Sequence, residues 1–156
     1  MKPTIVLDSS EASVLIHWLV LEKECPLELT TKPVAPVMVR APYYEDGEIL
    51  IYDHQTLVQF LQERYPGEQL LPVDPISRAQ IRQACMLIRD PDDIDVFTEV
   101  ESILDTGSEY MTGDQFTLLD IYVGAWLNDH YTPDNSSVRS YWKRISERNA
   151  FRIATS

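Results

Sequence analysis

The spacing of apolar residues changes period along the chain. TIVLD (4–8) is an apolar run of strand length. SSEASVLIHWLVLEKE (9–24) then places Val14, Leu15, Trp18, Leu19 and Leu21 at helical spacing, behind a serine (Ser9 or Ser10) that can cap the first turn. PLELT (26–30) alternates as a strand does, whereas KPVAPVMVRAP (32–42) carries three prolines and no helical period, so any helix there is expected to be very short or absent. YYEDGEILIYD (43–53) reads as two strands about Asp46-Gly47, a pair that favours a tight hairpin turn. The hairpin runs straight into a helical pattern, HQTLVQFLQERY (54–65), with Leu57, Val58, Phe60 and Leu61 on its inner side.

From PGEQLLPVDP onward the strand signal is gone, and Pro66 to Pro75 reads as a linker lying on a surface. Four helices are expected beyond it: ISRAQIRQACMLIRD (76–90), IDVFTEVESIL (94–104), TLLDIYVGAWLNDHY (117–131) and SSVRSYWKRISERNAF (136–151). In the third, Thr117 can cap the first turn while Asp120 reaches back to the Thr117 amide, with Phe116 packing on Ile121 as a staple. The order βαβ then ββα, followed by helices alone, predicts an α/β thioredoxin-like domain at 1–66, a linker at 67–75 and an all-α domain at 76–156.

A formal net charge of −12 repels phosphate backbones and anionic membrane surfaces, so direct nucleic-acid and membrane binding are not expected; such a field steers the molecule toward basic partners or simply keeps it soluble. Acids are densest from Asp90 to Glu101. Arg139, Lys143, Arg144 and Arg148 fall at helical spacing and read as one solvated face. Cys25 and Cys85 lack CxxC spacing, which suits buried thiols in a reducing, cytoplasmic setting. MKPTIVLDSS is too short an apolar run for a signal segment, and a soluble protein is expected. His17, His54 and His130 share no ligand spacing, so no metal is expected. Trp18, Trp126, Trp142, Phe60 and Tyr122 read as core.

Four segments, LVLEKECPLEL, FLQERYPGEQLLPVDPISRAQ, QFTLLDIYVGAWL and SYWKRISERNAF, together resemble the glutathione S-transferase fold superfamily. Within it they are most similar to the stringent starvation protein A family, whose members associate with RNA polymerase. The resemblance implies a cis bond between Ala41 and Pro42, exposing the Ala41 backbone to a peptide-like ligand. It places Ser10, with Ser9 beside it, where catalytic members donate a hydrogen bond to the glutathione thiolate; the alternative for both serines is a helix cap. It also sets Asp53-His54 where glutathione-binding members have an acid followed by a small hydroxyl residue that holds a carboxylate at a helix N-terminus. Here the hydroxyl residue is replaced by histidine.

Two further departures concern the partner and the pocket. Where the polymerase-binding family carries Pro-His-Pro, this chain has Pro66-Gly67-Glu68 after Tyr65; Tyr65 to Glu68 are the candidate partner contacts, and with only the first proline kept the chain is expected either to dock differently or to have a different partner. The two helices after the linker are abbreviated around Pro91, which implies a reduced substrate pocket. The expectation that follows is a non-catalytic protein without a cofactor. It would work through protein contacts, as a homodimer by resemblance, and regulate transcription through RNA polymerase or a sigma factor. The alternative is a small glutathione-dependent transferase using Ser10.

Overall fold

The computed structural model describes residues 2–33, 38–91, 95–131 and 135–156. The chain divides into two units, Met1–Glu68 and Gln69–Ser156.

In the first unit the elements run β1 (Thr4–Val6), α1 (Glu11–Glu22), β2 (Glu28–Thr30), β3 (Tyr43–Asp46), β4 (Ile49–Ile51) and α2 (His54–Arg64). The strands form one mixed sheet in the order β2-β1-β3-β4, with β1 parallel to β2 and the other pairs antiparallel. Ile5, Tyr44 and Ile51 lie opposite one another across the sheet and so share a face. That face meets α2, whose Phe60 ring lies 4.8 Å from the Tyr44 ring. Phe60 itself is half-buried, while Leu57, Val58 and Leu61 are buried as the pattern predicts. The hairpin loop is Gly47-Glu48, closed by Asp46 opposite Ile49, one residue further along than the expected Asp46-Gly47. Gly47, at φ 61, takes the left-handed position that a two-residue loop requires of its first residue.

Helix α1 buries more of its circumference than its pattern indicates. Ile16 and Val20 are buried beside Leu15, Trp18 and Leu19, whereas Val14 and Leu21 are half-buried. It ends in a double closure: the Glu24 amide donates to Leu21 O at 3.2 Å and the Cys25 amide to Val20 O at 3.0 Å. This geometry places Glu24 in the left-handed region, at φ 51. Residues 34–37, in the proline-rich stretch expected to lack a long helix, lie outside the described residues.

The second unit holds α3 (Pro75–Arg89), α4 (Val96–Leu104), α5 (Leu118–His130), α6 (Ser136–Ser146) and α7 (Asn149–Ala154). Capping follows the sequence closely: Asp74 accepts from Ser77 N, Asp95 from Thr98 N and Asn135 from Val138 N. Narrow stripes at helical spacing, such as Ile81, Cys85 and Ile88 on α3 and Val138, Tyr141 and Ile145 on α6, pack against α5, which is buried on nearly every side. The helices after the linker span 15 and 9 residues, and Asp92 to Ile94 lie outside the described residues.

Four expectations are corrected here. The stretch from Pro66 to Pro75 does not simply lie on a surface, because Leu70 and Leu71 are buried and Leu70 O accepts from the Leu118 amide at 2.8 Å. The last expected helix is two, broken at Glu147-Arg148, where Arg148 turns extended and sets its guanidinium 3.8 Å over the Phe116 ring. The C-terminal basic cluster is accordingly not all solvated: Arg144 also donates to Glu109 O at 2.7 Å and lies over Tyr110. Trp126 and Trp142 are half-buried, the first stacked on His130 and the second on Tyr131.

Candidate functional site

The sheet topology gathers the predicted site residues of the first unit. Val6 lies opposite Tyr43 and Tyr44 opposite Ile51, so the exit of β1, the entry of β3 and the exit of β4 fall at one end of the sheet. Ser9-Ser10 follow the first of these, Ala41-Pro42 precede the second, and Asp53-His54 follow the third.

Ser10 is the N-cap of α1, accepting from the Ser13 amide at 3.2 Å. Its own hydroxyl hydrogen goes to Asp8 Oδ1 in a short bond, and Ser13 Oγ donates to the same oxygen at 2.7 Å. Burial tends to raise the Asp8 carboxyl, but the hydrogen bonds from Ser10 and Ser13 outweigh it and hold the group below its ordinary range. Ser9 is exposed. Stabilising a thiolate would require Ser10 to withdraw its single hydrogen from a carboxylate, with that negative charge left two residues away.

The Ala41–Pro42 bond is cis, and Pro42 is buried directly ahead of β3. Asp53 is the N-cap of α2: its Oδ2 accepts from Thr56 N at 3.0 Å and from Thr56 Oγ1 at 2.7 Å. His54 opens the helix and is half-buried.

The chain after α2 builds a groove of about 560 Å³, in which Tyr65, Pro66 and Gly67 meet Lys23, Arg64 and Pro26. Tyr65 is only 6% exposed, so of the candidate contacts it supports the groove from beneath, while Pro66, Gly67 and Glu68 are exposed. Lys23 is buried and donates from Nζ to Glu68 O at 3.2 Å; burial pushes its ammonium down, against the opposing pull of Cys25 and Glu68. Gly67 lies so close to Lys23 that a Cβ there would stand 2.5 Å from the Lys23 carbonyl oxygen. Arg64 caps the groove with its guanidinium 5.2 Å from the Tyr65 ring centre. Lys23 and Arg64 were not legible as site residues, since nothing in their spacing relates one to the other.

Both cysteines are free and buried, and burial raises the Cys25 thiol to about 11. Among the described residues no group of His, Cys, Asp and Glu could hold a metal ion, and no helix is long and apolar enough to cross a membrane.

Solved structures share this fold over nearly the whole chain. A glutathione transferase homolog from Burkholderia gl BGR1, with bound glutathione, matches with a TM-score of 0.76 at 19% identity, over 97% of this chain and 95% of its own. This chain has the glutathione S-transferase fold. Glutathione transferase E6 from Drosophila melanogaster matches it with a TM-score of 0.80 at 17% identity, over 99% of this chain and 91% of its own. The theta class glutathione S-transferase from Xanthomonas axonopodis pv. citri, with glutathione bound, matches with a TM-score of 0.75 at 16% identity, over 99% and 98%. A curated relative of this glutathione S-transferase-fold chain is the stringent starvation protein A homolog of Pasteurella multocida, 22% identical over 70% of this chain. The match spans 65% of that relative's length. No family model matches the chain.

Proposed function

We propose that this glutathione S-transferase-fold chain is a non-catalytic protein that acts through protein contacts, regulating transcription by docking on RNA polymerase. The observation that carries the non-catalytic part is the hydroxyl of Ser10, committed to Asp8 while it caps α1. The half-buried imidazole of His54 at the start of α2 supports it. The docking part rests on the likeness to the stringent starvation protein A homolog and on the groove at Tyr65 to Gly67, in the loop where that family carries its Pro-His-Pro motif.

In this chain the loop presents Pro66 and Glu68, with Gly67 held against the Lys23 carbonyl. The immobilised chain should retain core or sigma-loaded RNA polymerase at moderate salt. Gly67→Ala, whose methyl displaces the loop, should lose that retention while keeping the native circular dichroism spectrum. No recovery of either polymerase form overturns the docking role, and retention of the chain on immobilised glutathione overturns the non-catalytic one.

A further inference from the structure

The outer edge of β4 joins three observations that the groove after α2 does not use. The first is the direction of the backbone groups. The Glu28 amide donates to Pro3 O and the Leu7 amide to Thr30 O, both at distances below 3.0 Å, so Pro3, Ile5 and Leu7 turn their polar groups toward β2. Thr4 and Val6 then face β3, Tyr44 and Asp46 face β4, and Ile49 and Ile51 face back to β3. The N–H and C=O of Leu50 are left pointing outward from the sheet.

The second observation is apolar exposure along that edge. Ile49 is 56% exposed and Tyr52 59%, although neither a proline nor a lysine guards the strand. Ile51 continues into a cavity of about 410 Å³ that it shares with Gln55, Gln59, Phe60 and Glu63 of α2. Ile49 and Ile51 share the face toward α2, so a strand laid beside β4 would put alternate side chains against Ile51 and Phe60.

The third is charge. From Ala41 to Glu63 the sequence has no lysine or arginine, and four of its acids, Asp46, Glu48, Asp53 and Glu63, are exposed or half-exposed around the edge. A second copy would bring these acids against themselves, which opposes self-pairing.

We infer that β4 accepts, as a fifth strand, an extended segment of a partner protein in which apolar and basic side chains alternate. Main-chain hydrogen bonds to Leu50 provide the register. The apolar side chains cover Ile49, Ile51 and Phe60 on the α2 side, and the basic ones, on the opposite face, lie nearest Glu48 and Asp53. This surface is independent of the polymerase-docking groove, so either can fail without the other.

The test uses the whole chain, labelled with ¹⁵N, and two capped peptides, one alternating Lys and Val and the other Glu and Val. The Lys–Val peptide should shift the resonances of residues 48–60 and slow exchange of the Leu50 amide at least tenfold, and the Glu–Val peptide should do neither. Leu50→Pro removes the outward donor and should weaken the Lys–Val peptide at least tenfold. If that variant unfolds, the paired charge reversal Glu48→Lys with Asp53→Lys should have the same effect. Equal response to both peptides, no response, or shifts confined to other regions overturn the inference. So does slowed exchange at Leu50 in the free chain that grows with protein concentration, which would assign the edge to a second copy.

Discussion

Tyr141 donates its hydroxyl hydrogen to Asp120 Oδ1 at 2.7 Å, joining α6 to the first turn of α5 where both side chains are inaccessible to solvent. The same carboxylate accepts from the Thr117 amide at 2.8 Å and the Met111 amide at 2.9 Å. One side chain therefore fixes a helix start, a loop and a neighbouring helix in the second unit. Asp120→Ala leaves all three donors buried and unsatisfied, and should cost at least about 3 kcal/mol of stability. Tyr141→Phe removes only one and should cost about 1.5 kcal/mol. Urea denaturation followed by circular dichroism measures both.

The response to acid divides the aspartates into two groups. Burial raises the Asp120 carboxyl above its ordinary 3.8, against the bonds from Met111, Thr117 and Tyr141. The folded chain thus holds this proton more tightly than the unfolded one. Its contribution is complete below 3.8 and falls as pH rises through the raised value. The caps Asp53, Asp74 and Asp95 lie below 3.8, through bonds from Thr56, Ser77 and Thr98, so their contribution is present above 3.8 and lost as pH falls through the lowered values. Urea midpoints measured against pH should therefore fall on both sides. Asp120→Asn should flatten the high-pH side alone.

Ser10→Ala separates a cap from a catalyst. Loss of the hydroxyl acceptor for Ser13 N should destabilise α1 by about 1 kcal/mol. Turnover of an aryl halide with glutathione should stay at the uncatalysed rate in both the parent and the variant. A parent rate well above background that Ser10→Ala abolishes would restore the transferase reading.

Glu24 closes α1 from the left-handed region, at φ 51, in a position that glycine fills without steric cost. Glu24→Gly should raise stability by about 1 kcal/mol. The measurement is a shift of the thermal midpoint upward, and a downward shift would contradict the strain argument.

These residues also mark where the sequence was readable. Strands and helices were legible because their signals are local: a serine before an apolar period, an Asp-Gly at a hairpin, a Thr and Asp three apart before α5. The Asp120 reach to Thr117 was legible for the same reason, while its bonds to Met111 and Tyr141 were not, since they join residues 9 and 21 positions away with no periodic relation. The break before α7 had no proline or glycine to announce it. It follows from Arg148 leaving the helix to lie over Phe116, a tertiary contact. The site positions at Ser10, Pro42 and Asp53-His54 were placed by resemblance, and sheet register then explains why they share one end of the sheet. The groove cations were hidden because Lys23 and Arg64 meet only once α1 and α2 have packed.

The buried Leu70 gives the passage between units a sharper meaning. Lys23 Nζ ties the Glu68 carbonyl to the first unit, and the Leu118 amide ties the Leu70 carbonyl to the second. Only Gln69 stands between those two anchors, which makes it the natural splice point for exchanging modules. A first unit borrowed from another protein of this fold should be joined at Gln69, because a junction at Ser77 would discard the leucines on which the helical unit closes.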